Sequence, residues 1–169
     1  DARRSNEVAM DLTTSGELSG ILNVLSFMAE AESALAELYH VCGEAWQDTR
    51  AFWSGIEEEE NRHARNIERM KDIITQKPER FERGRPFNIV AVQTFVKGIR
   101  GNTEKVRTGA LQRRNALFLA RDLEQSIMEQ RYGEIVKTGD TEYLGLMKEI
   151  ISDTVTHKAR IDAEIKNLN

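Results

Sequence analysis

The sequence predicts an all-α fold, an antiparallel four-helix bundle with a long crossover between helices 2 and 3, and three observations carry that prediction. Apolar residues recur every three or four positions along four separate stretches, the spacing of one buried helix face. Both prolines, Pro78 and Pro86, fall in a single basic stretch, 76–106, between the second and third of these lines. Each line is broken at a similar depth by Glu or His, where core residues should stand.

Residues 1–14 have mixed polarity and no sustained period, and read as an N-terminal arm or short helix ahead of a bundle domain over 15–169. Thr14-Ser15-Gly16-Glu17 has the form of a capping box that would start helix 1. The line of that helix is Leu18, Ile21, Leu25, Met28, Glu32, Leu35, Tyr39 and Cys42, closed by Gly43. Glu30 and Glu37 lie off it and read as a solvated face. Helix 2 should run from near Asp48 to the mid-70s, because the residue before Pro78 resists helical geometry. Its line is Trp53, Ile56, Glu60, His63, Ile67, Met70 and Ile74.

The connector 76–106 holds one amphipathic piece near Ile89 to Ile99, and ~30 residues easily span a bundle ~40 Å long. Helix 3 is expected over about Thr108 to Lys137, with Leu117, Ala120, Glu124, Ile127 and Ile135 on one line before the Gly139-Asp140 turn. Helix 4 follows with Tyr143, Met147, Ile150, Thr154, His157, Ile161 and Ile165. The two halves form a loose repeat, each a helix with a buried acid followed by one with a buried His.

With 169 residues, 40% hydrophobic and 31% charged, the chain suits one globular domain. A net charge of -4 gives no broad electrostatic footprint for nucleic acid, and nucleic-acid binding is not expected. Cys42 is the sole cysteine, which rules out an intrachain disulfide, a zinc ribbon or a cysteine-ligated iron centre of the rubredoxin kind. No apolar run approaches the ~18 residues of a membrane span, and residues 1–6 are too polar for a signal peptide. A cytoplasmic location without membrane contact is therefore expected, although the chain does not begin with Met and an upstream segment could have been removed.

The chemistry gathers at Glu60-Asn61-Arg62-His63, whose Glu and His lie three apart and so share a helix face. Such a pair alone is weak evidence for a metal. A lone His on an apolar face is more often a hydrogen-bonded core residue, and a lone Glu can snorkel to water. Position strengthens the case. Counted from the connection at Gly43 to Asp48, Glu32 lies eleven residues back and Glu60 twelve residues on, which at ~1.5 Å per residue brings them to nearly equal height. Glu32, Glu60 and Glu124 buried together would cost several kcal/mol per ion unless protons or cations compensate, and with His63 and His157 they make a five-residue metal-ligand set. Asp153, beside the core line, could partly stand in for the acid missing at Thr154. Glu59 also reaches the His63 side as an i,i+4 pair, His40 reads as exposed, and Cys42 with Met28, Met70 and Met147 reads as packing.

On Glu32, Tyr39, Glu60, His63, Glu124 and His157, over roughly residues 15–168, the chain resembles the ferritin-like superfamily, nearest its rubrerythrin and bacterioferritin branches. The run from Glu32 to Tyr39 looks like the first-helix signature, in which a tyrosine follows the ligand glutamate by seven residues. The resemblance implies a di-iron carboxylate site with Glu32 and Glu124 as terminal ligands, Glu60 as bridge, and His63 and His157 as nitrogen ligands. Two positions depart from it. Where the second hairpin should carry Glu-x-x-His it reads Thr154-Val155-Thr156-His157, and Ile127 stands where rubrerythrins carry a further acid. Three carboxylates then face the +4 of two ferrous ions, so the second metal position is expected to be weak.

The expected function is iron-dependent redox chemistry, of ferroxidase or peroxidase type, with one or two iron ions and an external electron donor. Tyr39 reads as core, with a hydrogen-bonding or redox role near the site as the lesser alternative. The alternatives are a degenerate ferritin-like structural or binding module holding one metal such as zinc, or none, and a metal-free helical interaction domain. A homodimer is expected, and storage in a large shell is not, since no fifth helix follows the fourth.

Overall fold

The computed structural model describes the backbone of residues 2–168 and the side chains of residues 15–168. It is all-α, with five helices and one short two-stranded ribbon among the described residues: α1 Ala2–Ala45, α2 Arg50–Gln76, β1 Phe81–Arg83, α3 Ile89–Arg107, α4 Arg113–Glu129, β2 Val136–Thr138 and α5 Thr141–Asn167. The predicted core lines are the buried ones. Ile21 to Cys42 on α1, Trp53 to Ile74 on α2, Leu117 to Ile127 on α4 and Tyr143 to Ile161 on α5 all turn their apolar positions inward, as a 3.6-residue period requires.

Helix α1 folds back on α2 and α4 folds back on α5, while α2 packs on α5 and α3 packs on α1. The start of α1 differs from expectation. The helix is continuous through Thr14, so no capping box begins it there; the Thr14 side chain and those of the expected arm lie outside the described residues. Its end also runs past Gly43 to Ala45.

α3 explains why α1 is buried on more than one face. Val92, Val96, Ile99 and Val106 recur at helical spacing and are buried. Arg100 reaches Glu30 at 2.8 Å, and Arg107 pairs with Glu37. Those two acids stay solvent-exposed, as their place off the apolar line predicts, and also pair with α3, while Ala34, Leu38 and Val41 on α1 are buried.

The expected third helix is shorter than its apolar pattern suggested. α3 closes at Gly109, whose φ of 74° suits a residue without Cβ. α4 begins only at Arg113, which pairs with Asp48 in the α1–α2 connection. It ends at Glu129 because Arg131 takes a left-handed backbone (φ 53°), so Ile135 lies beyond the helix, buried in the turn before β2. β2 pairs antiparallel with β1, Phe81 opposite Thr138 and Arg83 opposite Val136. The ribbon brings Lys77 and Arg80 to Asp140 at 3.3 and 3.4 Å. Asp140 caps α5 by accepting the Tyr143 amide at 3.1 Å, and that bond with the two cations holds its carboxyl below the usual aspartate range.

Just past β1, the Gly84 amide donates to the Ile135 carbonyl at 2.8 Å. A Cβ on Gly84 would sit 2.2 Å from the Glu134 carbonyl oxygen, an atom of the backbone that cannot swing aside. Gly84→Ala should thus lose about 2 kcal/mol or more in urea unfolding. Gly98→Ala, on an open face of α3 with nothing within 4 Å, should gain about 0.5–1 kcal/mol in the same measurement.

Candidate metal centre

Five polar side chains meet inside the helices, and each occupies its place because its helix turns that position to the core. Glu32 comes from α1, Glu60 and His63 from α2, Glu124 from α4 and His157 from α5, and none is more than 1% exposed. Glu60 lies at the centre. Its Oε2 is 3.1 Å from His63 Nδ1 and its Oε1 is 2.8 Å from His157 Nδ1. The two imidazoles face each other with ring centroids 5.5 Å apart.

Around Glu60 the ligand atoms fall into two overlapping triads: Glu32, Glu60 and His63, and Glu60, Glu124 and His157. Within each, one atom per residue lies within 4.8 Å of the others. His63 Nδ1 is 3.7 Å from Glu32 Oε2, and His157 Nδ1 is 3.7 Å from Glu124 Oε1. Many of these atoms have no hydrogen-bond partner among the described residues: both oxygens of Glu32, Glu60 Oε1, Glu124 Oε2 and His157 Nδ1. The 2.8 Å approach of His157 Nδ1 to Glu60 Oε1 is a charge contact at an angle unsuited to a hydrogen bond. Buried polar atoms left without partners in such number, all facing one interior space, fit a cation better than they fit packing.

All five ligand candidates are brought together, and Tyr39 joins them. Its hydroxyl donates to Glu124 Oε1 at 2.6 Å, which leaves Oε2 as the free oxygen. Thr154 does not contribute, because its hydroxyl donates to the Ile150 carbonyl at 2.8 Å one turn back along α5. Asp153 does not replace the missing acid either. Its Oδ2 accepts from the far side of His63, 3.0 Å from Nε2, and is held by Arg62 at 2.8 Å.

On the other imidazole, Glu59 is 2.7 Å from His157 Nε2 and is held by Arg160 at 2.8 Å, so Glu59 serves His157 across the helix pair rather than His63 on its own helix. Gly55, one turn before Glu59, makes room for this brace, since a Cβ there would come within 2.9 Å of Arg160 Nη2. The arginines Arg62 and Arg160 were not singled out from the sequence. The signal for the carboxylates was an acid four residues before each His, Glu59 before His63 and Asp153 before His157, each crossing to the opposite imidazole. With Nε2–H engaged outward, each imidazole would, once its inward proton is displaced, direct its Nδ1 lone pair at the carboxylates, the arrangement that orients a metal-binding histidine.

Protons can hold the cluster together when no cation does. Burial first, then the Glu60 charge, raises Glu32 from 4.5 to about 8. For His63, burial alone would lower the basicity, but hydrogen bonds and charges from Glu32 and Glu60 overcome it and raise the ring to about 11. His157 behaves alike with Glu124 and Glu60, reaching about 10. Two imidazolium protons and one on Glu32 thus balance the three carboxylates near neutral pH, and a metal must displace them. Tyr132, buried and with a hydroxyl that has no partner among the described residues, is pushed well up by burial and by the charges of Glu32, Glu60 and Glu124, so it stays a neutral donor close to the cluster. Cys42 is also buried, which pushes its thiol up to about 12 and leaves it unreactive.

No family profile matches the chain, and no curated protein and no solved structure matches it. The ferritin-like resemblance therefore rests on these residues and their placement alone.

Because Glu32, His63 and His157 all bind protons more tightly when folded than unfolded, their contribution is fully present at low pH and drains away as pH rises through their folded values. The metal-free protein should lose thermal stability progressively between about pH 4.5, the unfolded value of Glu32, and about pH 11, the folded value of His63. Saturating zinc should reverse the slope over the lower part of that window, because proton competition at the ligands falls; melting curves with chelator and with zinc at each pH check the crossing.

Proposed function

We propose that the chain is a ferritin-like metalloprotein, a four-helix bundle of hairpins α1–α2 and α4–α5 with α3 in the crossover, whose five buried ligands hold a pair of iron ions for redox chemistry with dioxygen or hydrogen peroxide. The observation that carries this reading is Glu60, whose two oxygens each face a different imidazole, so that a single carboxylate belongs to both triads. When bound, ferrous iron would supply the electrons that reduce the oxidant. The protein residues do the rest. Glu32 and Glu124 would neutralise charge from opposite sides, and Tyr39 holds Glu124 by the oxygen nearer His157, leaving the other without a partner among the described residues. Asp153 and Glu59 hold the outer nitrogens of His63 and His157, and Arg62 and Arg160 hold those acids in turn.

Electron delivery falls to an external donor, because Cys42 is the only cysteine and is buried. A homodimer in the cytoplasm belongs to the same proposal; among the described residues no helix is long and apolar enough to cross a membrane.

One observation favours a second reading, a degenerate module with a single zinc or no metal. At Thr154 the second bridging carboxylate is absent, and each triad loses a share of negative charge by it. The triads are nonetheless equal in donor set, two carboxylates and one imidazole each, so the loss falls on both positions and does not single out one of them.

Anaerobic loading with ferrous iron should give two ions per chain, and admitting air should produce near-ultraviolet ferric absorption. Glu60→Gln should abolish retention of both ions, while Glu32→Gln and Glu124→Gln should each remove about one. Retention of one zinc but no iron, with Thr154→Glu gaining an ion, would establish the degenerate module instead. In the supporting shell, Asp153→Asn and Glu59→Gln should each weaken metal affinity about 10–100-fold in competition with a chromogenic chelator.

A further inference from the structure

We propose that Tyr39, Trp53 and Trp46 form an electron-transfer line that joins the buried carboxylate and imidazole cluster to the turn between α1 and α2, where a one-electron donor meets Trp46. As the supply route of an iron centre it rests on the metal-centre reading above; as a conducting line of aromatic rings it does not. The line starts at a ligand candidate, since the Tyr39 hydroxyl donates to Glu124 Oε1 at 2.6 Å. The Tyr39 ring stacks on Trp53 with centroids 5.8 Å apart, and Trp53 lies 6.2 Å from Trp46. Both steps are direct ring contacts.

Burial falls off in one direction along the line. Tyr39 has no exposed surface and Trp53 is 1% exposed, whereas Trp46 is only partly buried, in the turn between Ala45 and Arg50. Composition adds a second point. The chain has two tryptophans, and both stand on this line. Indole and phenol rings give up one electron far more readily than phenyl rings do. Phe52 also meets Trp53, edge to face at 5.0 Å, but as a phenyl ring it ends the path, so Trp46 is the way out.

Protons separate the roles of the rings. A neutral phenol gives up an electron readily when its proton can leave at the same time, and Glu124 Oε1 stands within reach to take that proton and return it. The Trp53 indole N–H has no acceptor among the described residues, so Trp53 keeps its proton and passes the electron alone. Beside Trp46, Glu44 is paired with Arg50 at 2.9 Å and Asp48 with Arg113. The turn thus offers little free charge to select a protein partner and suits a small diffusible reductant of the ascorbate kind.

The electrons balance with hydrogen peroxide at the centre as the oxidant. One electron leaves Tyr39 as its proton passes to Glu124. Trp53 refills the tyrosyl, which takes the proton back; Trp46 refills Trp53, and the outside donor refills Trp46. The rings end unchanged with one electron moved inward, and two such passages with two protons from solvent reduce one hydrogen peroxide to two waters.

The test uses the metal-free chain with a soluble ruthenium photo-oxidant and an irreversible electron acceptor, read by transient absorption and freeze-quench electron paramagnetic resonance. All three tyrosines are buried, so a tyrosyl radical must arise by transfer through the protein. A flash should give an indole radical that decays as a tyrosyl radical grows in. Tyr39→Phe should remove the tyrosyl signal and Tyr143→Phe should leave it. Trp53→Phe should keep the indole radical but cut the tyrosyl yield at least tenfold. Trp46→Phe, at a partly buried position, should cut it as much, and it decides the matter even if Trp53→Phe fails to fold. Ascorbate added to the wild-type chain should shorten the tyrosyl lifetime at least tenfold. No tyrosyl in the wild-type chain, a tyrosyl that survives Tyr39→Phe, an undiminished yield in folded Trp46→Phe, or a lifetime indifferent to ascorbate would mean that these rings only pack the core, and overturns the assignment. Because no metal is added, failure here leaves the iron-loading result untouched, and failure of iron loading leaves this one untouched.

Discussion

A carboxylate with no water around it must be answered by positive charge, and Glu60 imposes that demand on the whole interior. Lying between two imidazoles, it sets the height at which His63 and His157 must stand, and through them the register of α2 against α5. Glu32 and Glu124 then fix α1 and α4 at the same level, because a shift of one turn on either helix would move its acid ~5 Å along the axis and leave it alone in an apolar layer. The apolar lines above and below do not discriminate between registers in this way, since one Leu or Ile layer resembles the next. Non-directional burial holds the helices together, and the central charges choose among the ways of doing so.

Those charges also account for the outer shell. An imidazole that must present Nδ1 inward needs an acceptor for its other nitrogen, and Asp153 and Glu59 supply it from the facing helix. Either acid, brought so near a cluster already carrying three carboxylates, would add repulsion on its own. Arg62 and Arg160 offset that charge at the half-exposed edge, where an arginine can stay partly hydrated. Positive charge outside and negative inside thus alternate along each line from arginine to acid to imidazole to Glu60. The two lines differ in origin, since Arg62 precedes His63 on its own helix whereas Arg160 follows His157 by three residues, so the likeness of the halves is one of chemistry and not of strict sequence repeat.

The buried acids and imidazoles were legible because a period shows its own interruptions. Glu32, Glu60, His63, Glu124 and His157 each fall where the helix repeat calls for an apolar residue, and burial at those positions needs no knowledge of partners. The cross-braces were hidden because they are contacts between helices: the i,i+4 spacing of Glu59 and His63 is local, but nothing local says that Glu59 turns to His157 instead. Tertiary geometry also decided where α4 stops. Its apolar pattern continues to Ile135, yet the left-handed turn at Arg131 breaks the helix and sends Ile135 into the core from a loop. Strands of three residues, such as β1 and β2, are too short for any period to register.

Thr154 ties the site to its surroundings. A glutamate there would have supplied a fourth charge to the cluster and a charged wall to the recess between α4 and α5, which Ile127, Ile150 and Thr154 line. With threonine the interior gives up negative charge, which the imidazolium protons and Glu32 can balance without a cation. The same change leaves Ile127, Ile150 and Tyr132 around an uncharged wall that opens to solvent between Met128 and Val155.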